Sequence, residues 1–387
     1  MISRKWLFDS IRKGLIENPG VVVLGPRQCG KTTLARQVAA ERDSVFFDLE
    51  NPDDLSALQN PMLALEPLRG LVVLDEAQRC PELFPVLRVL MDREGAPAKF
   101  LLLGSASPLL ARGVTESLAG RVAFVDLQGF TLEEAGRENL ESLWLRGGFP
   151  RSFLASDDAV SHAWRRDFVR TFIEKDFASL GLGATPSALG RLWTMTAHYH
   201  GQTLNASEMG RSLGVSYKTV QHHLEILEGA FMVRLLRPWF ENVGKRLVKS
   251  PKIYLRDSGL LHALLGIPDR QALWGHPKFG ASWEGFALEQ VLASLPAGDA
   301  WFWGTQGGAE LDLFVQPRGR RVGFEFKAAD APRMTKSLHI ACEDLKLDEL
   351  IVVKPRGRDY PLTEKVRCVS IESALDFCRG FYLGALL

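Results

Sequence analysis

Long apolar runs are missing from this sequence of 387 residues. No stretch approaches the ~18 apolar residues that a membrane-spanning helix needs. The opening Met1-Ile2-Ser3-Arg4-Lys5-Trp6 leads into no apolar segment of the signal-peptide kind, so no membrane attachment is expected. Cysteine is scarce: Cys29, Cys80, Cys342, Cys368 and Cys378 form neither a CxxC pair nor a zinc-like Cys/His spacing. An odd number with no framework points to a reducing compartment, and the cytoplasm is the expected location. A surplus of either charge is also absent. Lys and Arg total 47 against 46 Asp and Glu, so no gross electrostatic pull towards nucleic acid follows, although one face can still be locally basic. Internal repeats and low-complexity tracts are lacking as well.

What the sequence does contain is enough apolar material for two or three cores. It is 46% hydrophobic, and one domain usually takes ~100–200 residues. Three textures follow one another. Up to about residue 140, short apolar runs alternate with amphipathic stretches. Val21–Leu24, Val45–Phe47, Leu71–Leu74, Phe100–Leu103 and Val122–Val125 read as buried strands. Helical patterns lie between them, so an α/β fold with a parallel sheet is expected. Residues 141–265 are mostly helical in pattern, with Asp158 to Leu180 as one amphipathic helix. Residues 266–387 return to mixed α and β.

The first strand runs into Gly25-Pro26-Arg27-Gln28-Cys29-Gly30-Lys31-Thr32-Thr33, which fits G-x-x-x-x-G-K-[ST] between a strand and a helix. Glycines let backbone N–H groups turn inward around phosphates, and the following helix offers its positive end. Lys31 is expected to reach the β- and γ-phosphates of ATP, and the Thr32 hydroxyl to ligate magnesium. A small side chain packing the loop is the plain account of Cys29. A second half of the site follows in Leu71-Val72-Val73-Leu74-Asp75-Glu76. Acids at the carboxyl end of a buried strand lie where ligands gather in α/β sheets. Asp75 is expected to hold magnesium and Glu76 to orient or deprotonate water. Ser105, after the strand Phe100–Leu103, is the candidate to sense the γ-phosphate, with Ser107 as its competitor and helix capping as the alternative for both. Arg121 is the candidate arginine finger, in cis or towards a neighbouring subunit, with Arg112 and Arg79 competing. An arginine in trans would imply a homo-oligomer.

Thr203 to Arg237 reads as a helix-turn-helix with a trailing strand from Phe231. Asn205 and Glu208 suit a capping box, Gly214-Val215-Ser216 a turn, and Tyr217 to Glu228 the second helix. Ser216, Tyr217, Lys218, Gln221 and His222 would be exposed near its start, where side chains can touch phosphates and base edges of DNA. Lys245, Arg246 and Lys249 add positive charge. A protein-packing module explains the same pattern. Further on, Ala309–Val315 and Val322–Lys327 read as a hairpin. Glu325 and Lys327 share a face there, within reach of Asp312, and Glu284 on an upstream helix can join them. Two readings are open: a magnesium site with a water-activating lysine, or polar residues on the wet face of a sheet.

Taken in order, Gly25–Thr32, Leu74-Asp75-Glu76-Ala77-Gln78-Arg79, Leu103-Gly104-Ser105-Ala106, Gly147-Gly148-Phe149-Pro150, Lys249-Ser250-Pro251-Lys252-Ile253-Tyr254, Trp283-Glu284, Glu310-Leu311-Asp312 and Glu325-Phe326-Lys327 span nearly the whole chain. The set resembles a large prokaryotic family of AAA-type P-loop ATPases with a C-terminal domain of unknown function. The resemblance implies three modules: an ATPase domain (1–140), a helical linker with a winged helix (141–265), and a small α/β domain similar to the PD-(D/E)xK nucleases (266–387). Glu284, Asp312, Glu325 and Lys327 fill the four positions of that nuclease pattern, while Leu311 stands where its proline would be. The implied function is an ATP- and magnesium-dependent, DNA-associated ATPase with nuclease-like metal chemistry. The alternative is a nucleotide-gated protein-interaction switch with a silent C-terminal domain.

Overall fold

Each of the five early apolar runs is a strand: β1 (Gly20–Gly25), β2 (Ser44–Asp48), β3 (Gly70–Asp75), β4 (Ala98–Ser105) and β5 (Val122–Asp126). The computed structural model describes residues 2–95, 97–105, 116–176, 185–240, 247–296 and 298–383. The five strands form one sheet in the order β2-β3-β4-β1-β5, with every neighbouring pair parallel. Val21–Val23, Leu71–Leu74 and Leu101–Leu103 are fully buried, which is why these strands read as unbroken apolar runs instead of alternating ones. The edge strands β2 and β5 are only partly covered. Because all five strands point the same way, their carboxyl ends share one edge of the sheet. The order places β4 between the strand of the phosphate-loop motif and the strand ending in Asp75.

This sheet belongs to a compact unit made of Met1–Phe130 and Glu225–Met232; the second unit comprises Thr131–Leu224 and Val233–Leu387. The second unit is built on a nine-stranded sheet. Its strands are β6 (Gln202–Thr203), β7 (Val233–Pro238), β8 (Lys252–Leu255), β9 (Ala300–Gly304), β10 (Glu310–Val315), β11 (Val322–Phe326), β12 (Glu349–Lys354), β13 (Tyr360–Pro361) and β14 (Val366–Ser370). They lie in the order β13-β14-β12-β11-β10-β9-β7-β8-β6. A parallel contact of Arg237 and Pro238 with Trp301 and Phe302 joins β7 to β9, so one sheet carries strands from both sides of residue 265.

The helix-turn-helix consists of Ala206–Leu213 and Tyr217–Gly229. Asn205 caps the first helix through Glu208 N–H at 3.1 Å, but the Glu208 carboxylate accepts from the Asn205 side-chain amide at 3.2 Å. The trailing strand starts at Val233, two residues later than expected, because Phe231 turns with φ of 61°. The expected helix from Asp158 runs to Thr171 and continues as a wider π-type turn over Phe172–Asp176; residues 177–180 lie outside the described residues. Among the described residues no helix is long and apolar enough to cross a membrane.

Candidate nucleotide site and the C-terminal acid cluster

The loop between β1 and the helix Lys31–Ala39 has the geometry of a phosphate cradle. Gly30 takes φ of 100° and Gln28 takes φ of 63°. The first is a conformation suited to glycine, and the second holds strain in a non-glycine residue. No side chain caps the helix, so its first N–H groups are left for an anion. Gly25 is required by packing: a Cβ there would stand 2.0 Å from the Leu127 carbonyl oxygen. Cys29 is fully buried and its thiol points at the same carbonyl at 3.5 Å. Burial pushes that thiol up, so Cys29 packs the loop and is no reactive thiolate. Arg4 holds the loop from outside its own sequence, donating to Cys29 O at 3.1 Å, Gln128 O at 2.9 Å and Gly129 O at 3.1 Å.

Lys31 is buried, and its Nζ donates to Gly25 O at 3.0 Å and Pro26 O at 2.9 Å. The ammonium is thus held at the mouth of the loop by carbonyls that phosphate oxygens can replace. Thr32 Oγ1 donates to Asp75 Oδ2 at 2.7 Å, which brings the two motifs together. Asp75 is pushed up by burial, against the pull of the Thr32 hydrogen bond. Thr33 is exposed. Glu76 sits in the left-handed region with φ of 55°, its N–H donating to Asp75 Oδ1 at 3.0 Å, and Gln78 Nε2 donates to its carboxylate. Arg27, within the loop, and Arg79 share one carboxylate oxygen of Glu50 at 2.9 and 3.1 Å. Ser105 closes β4 opposite Gly25, at the edge where the loop begins.

Arg121 is not at this edge. Its carbonyl accepts the N–H of Gly20, the first residue of β1, so it lies at the opposite end of the strands. Five residue steps of strand separate the two ends by about 17 Å, farther than an arginine side chain reaches. The guanidinium grips Asp92 at 2.6 and 2.7 Å instead. The expected cis role of Arg121 is therefore corrected. Ser107 and Arg112 lie outside the described residues, as do Lys245 and Arg246.

The C-terminal acids also converge, with an unexpected guest. The helix Phe279–Ala293 carries Glu284, and β10 and β11 form the antiparallel hairpin. Phe326 N–H donates to Asp312 Oδ2 at 3.0 Å, and Lys327 pairs with Glu325 at 2.6 Å. Lys252, from β8, reaches the middle of the group. Its Nζ is 3.0 Å from Asp312 Oδ1 and 3.2 Å from Glu284 Oε1, and it also pairs with Glu310. Tyr254 OH donates to Glu284 at 2.6 Å. Burial and the charge of Asp312 push Glu284 up to about 7 and Glu325 up to about 8. Asp312 is lowered: burial opposes its charge, and Lys252, Lys327 and the Phe326 N–H outweigh it. The expected magnesium site at Glu284, Asp312 and Glu325 does not fit this arrangement, because an ammonium stands among the carboxylates. Among the described residues, no group of three or more His, Cys, Asp or Glu is arranged to hold a metal ion.

Ser216, Tyr217, Lys218, Gln221 and His222 are all exposed at the start of the second helix of the helix-turn-helix. Ser216 caps that helix, its Oγ accepting from Thr219 N–H at 3.1 Å.

Comparison with known proteins matches three successive segments of the chain to family models. A family model described as an AAA domain matches residues 17–136, and two domains of unknown function, DUF8612 and DUF4143, match 137–271 and 279–374. Uncharacterized protein Rv2008c of Mycobacterium tuberculosis and Uncharacterized protein Mb2031c of Mycobacterium bovis are each 49% identical over 375 residues, covering 97% of this chain and 85% of theirs. The chain belongs to the family of these two mycobacterial proteins. Its N-terminal part is an AAA domain of the P-loop ATPase kind. The solved Walker-type ATPase PABY2304 of Pyrococcus abyssi shares the fold with a TM-score of 0.50 and 18% identity, covering 68% of this chain and 96% of that one.

In the AAA domain, motif spacing located the loop, Asp75 and Glu76, but not Glu50 or Arg4, whose contacts join residues far apart in the sequence. Gln78 and Arg79 had a faint signal, since both follow directly on the acid pair. In the DUF8612 region, Lys252 and Tyr254 stood within a motif that carried the resemblance, with nothing to say that they meet Glu284 of the DUF4143 region.

Proposed function

We propose that this chain binds and hydrolyses ATP at the edge of the five-stranded sheet, with magnesium. The observation that carries the reading is the 2.7 Å hydrogen bond from Thr32 to Asp75. It sets a hydroxyl and a carboxylate side by side next to an uncapped helix N-terminus and a buried lysine. Thr32 and Asp75 would hold magnesium, directly or through water, where it would neutralise charge on the β- and γ-phosphates. The backbone of Gly25, Pro26, Arg27, Gln28, Cys29, Gly30, Lys31, Thr32 and Thr33 wraps the phosphates, and Lys31 exchanges its two carbonyl partners for phosphate oxygens. Glu76 takes a proton from the attacking water as the new O–P bond forms and the bond to the ADP oxygen breaks. Gln78, now bonded to Glu76, orients that carboxylate. Ser105 contacts the γ-phosphate from the end of β4. The free cysteines suit a cytoplasmic setting, and a neighbouring copy in a homo-oligomer would supply any arginine that this edge needs.

The second part of the reading is association with DNA. It is supported by the exposed Tyr217, Lys218, Gln221 and His222 at the start of a helix-turn-helix helix, followed by the antiparallel pair β7 and β8. Functional parts at 1–140, 141–265 and 266–387 would then be the ATPase, the DNA reader and the effector. The deciding experiment measures magnesium-dependent ATP turnover of the wild type and Lys31→Ala, with and without duplex, forked and single-stranded DNA. Turnover lost in Lys31→Ala and raised by DNA supports both parts. Turnover indifferent to every DNA leaves the ATPase standing and removes the DNA reader in favour of a protein-interaction switch. Turnover unchanged in Lys31→Ala overturns the ATPase itself.

A further inference from the structure

The nuclease-like pattern implies a divalent cation among Glu284, Asp312 and Glu325, and the side chains in place there do not fit one. We infer that Lys252 is the resident cation of this pocket, so that the C-terminal acids are neutralised from within the chain instead of by a metal. Lys252 is 2% exposed, and the three donors of its ammonium face three carboxylates, those of Glu284, Glu310 and Asp312. An ammonium has three N–H groups and no acceptor, so this is a full complement.

The position is built rather than incidental. Lys252 opens β8, where its backbone is paired to Thr203 on one side and to Leu236 on the other. Its side chain cannot leave without either a long rotamer change or a break in the sheet. Other contacts bind the same acids. Asp312 Oδ2 accepts the Phe326 N–H, Glu325 Oε1 accepts from Lys327, and the oxygen of Glu284 that faces Lys252, Oε1, also accepts the Tyr254 hydroxyl. Glu325 Oε2 is buried with no hydrogen-bond partner. A single buried oxygen of this kind suits a proton or a water molecule. Magnesium requires a near-octahedral oxygen shell at about 2.0–2.1 Å, and with Lys252 in place the oxygens of Asp312 and Glu284 surround nitrogen at 3.0 and 3.2 Å. The same oxygens cannot serve both cations, and two like charges at such a spacing repel. The lysine and the acids come from different family regions, residues 137–271 and 279–374; the plug and the pocket therefore belong to separate modules of the same unit.

The inference is independent of the ATPase reading and is tested without nucleotide. Mn2+ binding is measured by the electron paramagnetic resonance of the free ion, using the full chain as wild type, Asp312→Asn, Lys252→Met and Lys252→Met/Asp312→Asn. The wild type and Asp312→Asn are expected to bind the same number of ions. Lys252→Met is expected to gain one ion per chain, and the added Asp312→Asn to remove it. A wild type that loses one bound ion on Asp312→Asn overturns the inference, as does a folded Lys252→Met that gains none. Should Lys252→Met fail to fold, Glu325→Gln takes its place against the wild type. An unchanged ion count supports the inference, and a loss overturns it.

Discussion

Replacing Lys31 by Met removes one ammonium and leaves the stem that fills its place. Among the described residues the ammonium serves two carbonyls of its own loop, at 3.0 and 2.9 Å. With ATP bound, those two bonds to neutral carbonyls are exchanged for bonds to anionic phosphate oxygens, and the net gain of each exchange is taken within about 1.5–3 kcal/mol. Taking the lower value for both, the variant loses ~3 kcal/mol of binding, a factor of roughly 100 in Kd. ATP at 100 times the wild-type Kd stabilises the native state by ~2.7 kcal/mol, whereas the same concentration gives the variant only ~0.4 kcal/mol. At about 2–4 °C per kcal/mol, the ATP-induced rise in melting temperature should fall from roughly 5–11 °C to about 1 °C. The assay is a thermal melt of each protein with and without ATP and magnesium. Each variant's ligand-free melt is its own baseline, so any cost of the two lost loop bonds is separated from binding. A Lys31→Met protein that keeps the full wild-type rise would refute the placement of the phosphates at this loop.

Glu76→Gln should bind ATP with near wild-type affinity and turn it over about 100-fold or more slower, read from steady-state phosphate release beside the binding curve. Gly147→Ala should destabilise the second unit by about 2–4 kcal/mol, measured by urea unfolding. Gly147 has φ of 77°, and a Cβ there would stand 2.2 Å from Asp257 Oδ1, a carboxylate that already accepts from Gly148 and Leu260 at 2.8 Å each. Stability should also respond to pH through Glu325, which faces Lys327, Asp312 and Lys252. Its native value of about 8 lies above the ordinary 4.5, so between those values the native chain holds a proton that the unfolded chain has released. That contribution is whole below pH 4.5 and is lost as pH rises towards 8. The difference in unfolding free energy between the wild type and Glu325→Gln should therefore move against the wild type from pH 5 to pH 8; a flat difference would contradict the burial of this carboxyl.

Much of the nucleotide site was legible because its parts are local. A strand, a turn and a helix N-terminus adjacent in sequence must be adjacent in space, and Asp75-Glu76 mark a strand end by their abrupt change from apolar to acidic. Arg121 was misplaced although its position carried the answer. A residue just before a strand of a parallel sheet lies at the amino-terminal edge, opposite the phosphate loop, and the register of β5 against β1 puts it there. Glu50 carries no distinguishing pattern, since a polar residue after a strand is ordinary until its partner is known.

By itself, then, the sequence determined the parallel sheet and the phosphate loop, since periodicity and local spacing encode both, while the meeting of Glu284 with Asp312, Glu325 and Lys327 was implied only by the family resemblance. Only the tertiary structure decided what fills the pocket those residues make. Lys252 is 60 residues from Asp312 in sequence and 3.0 Å from it in space. The physical reason is that charge compensation in a buried site depends on which groups the sheet order brings together, and β8 meets the acids through a sheet whose order skips across the chain.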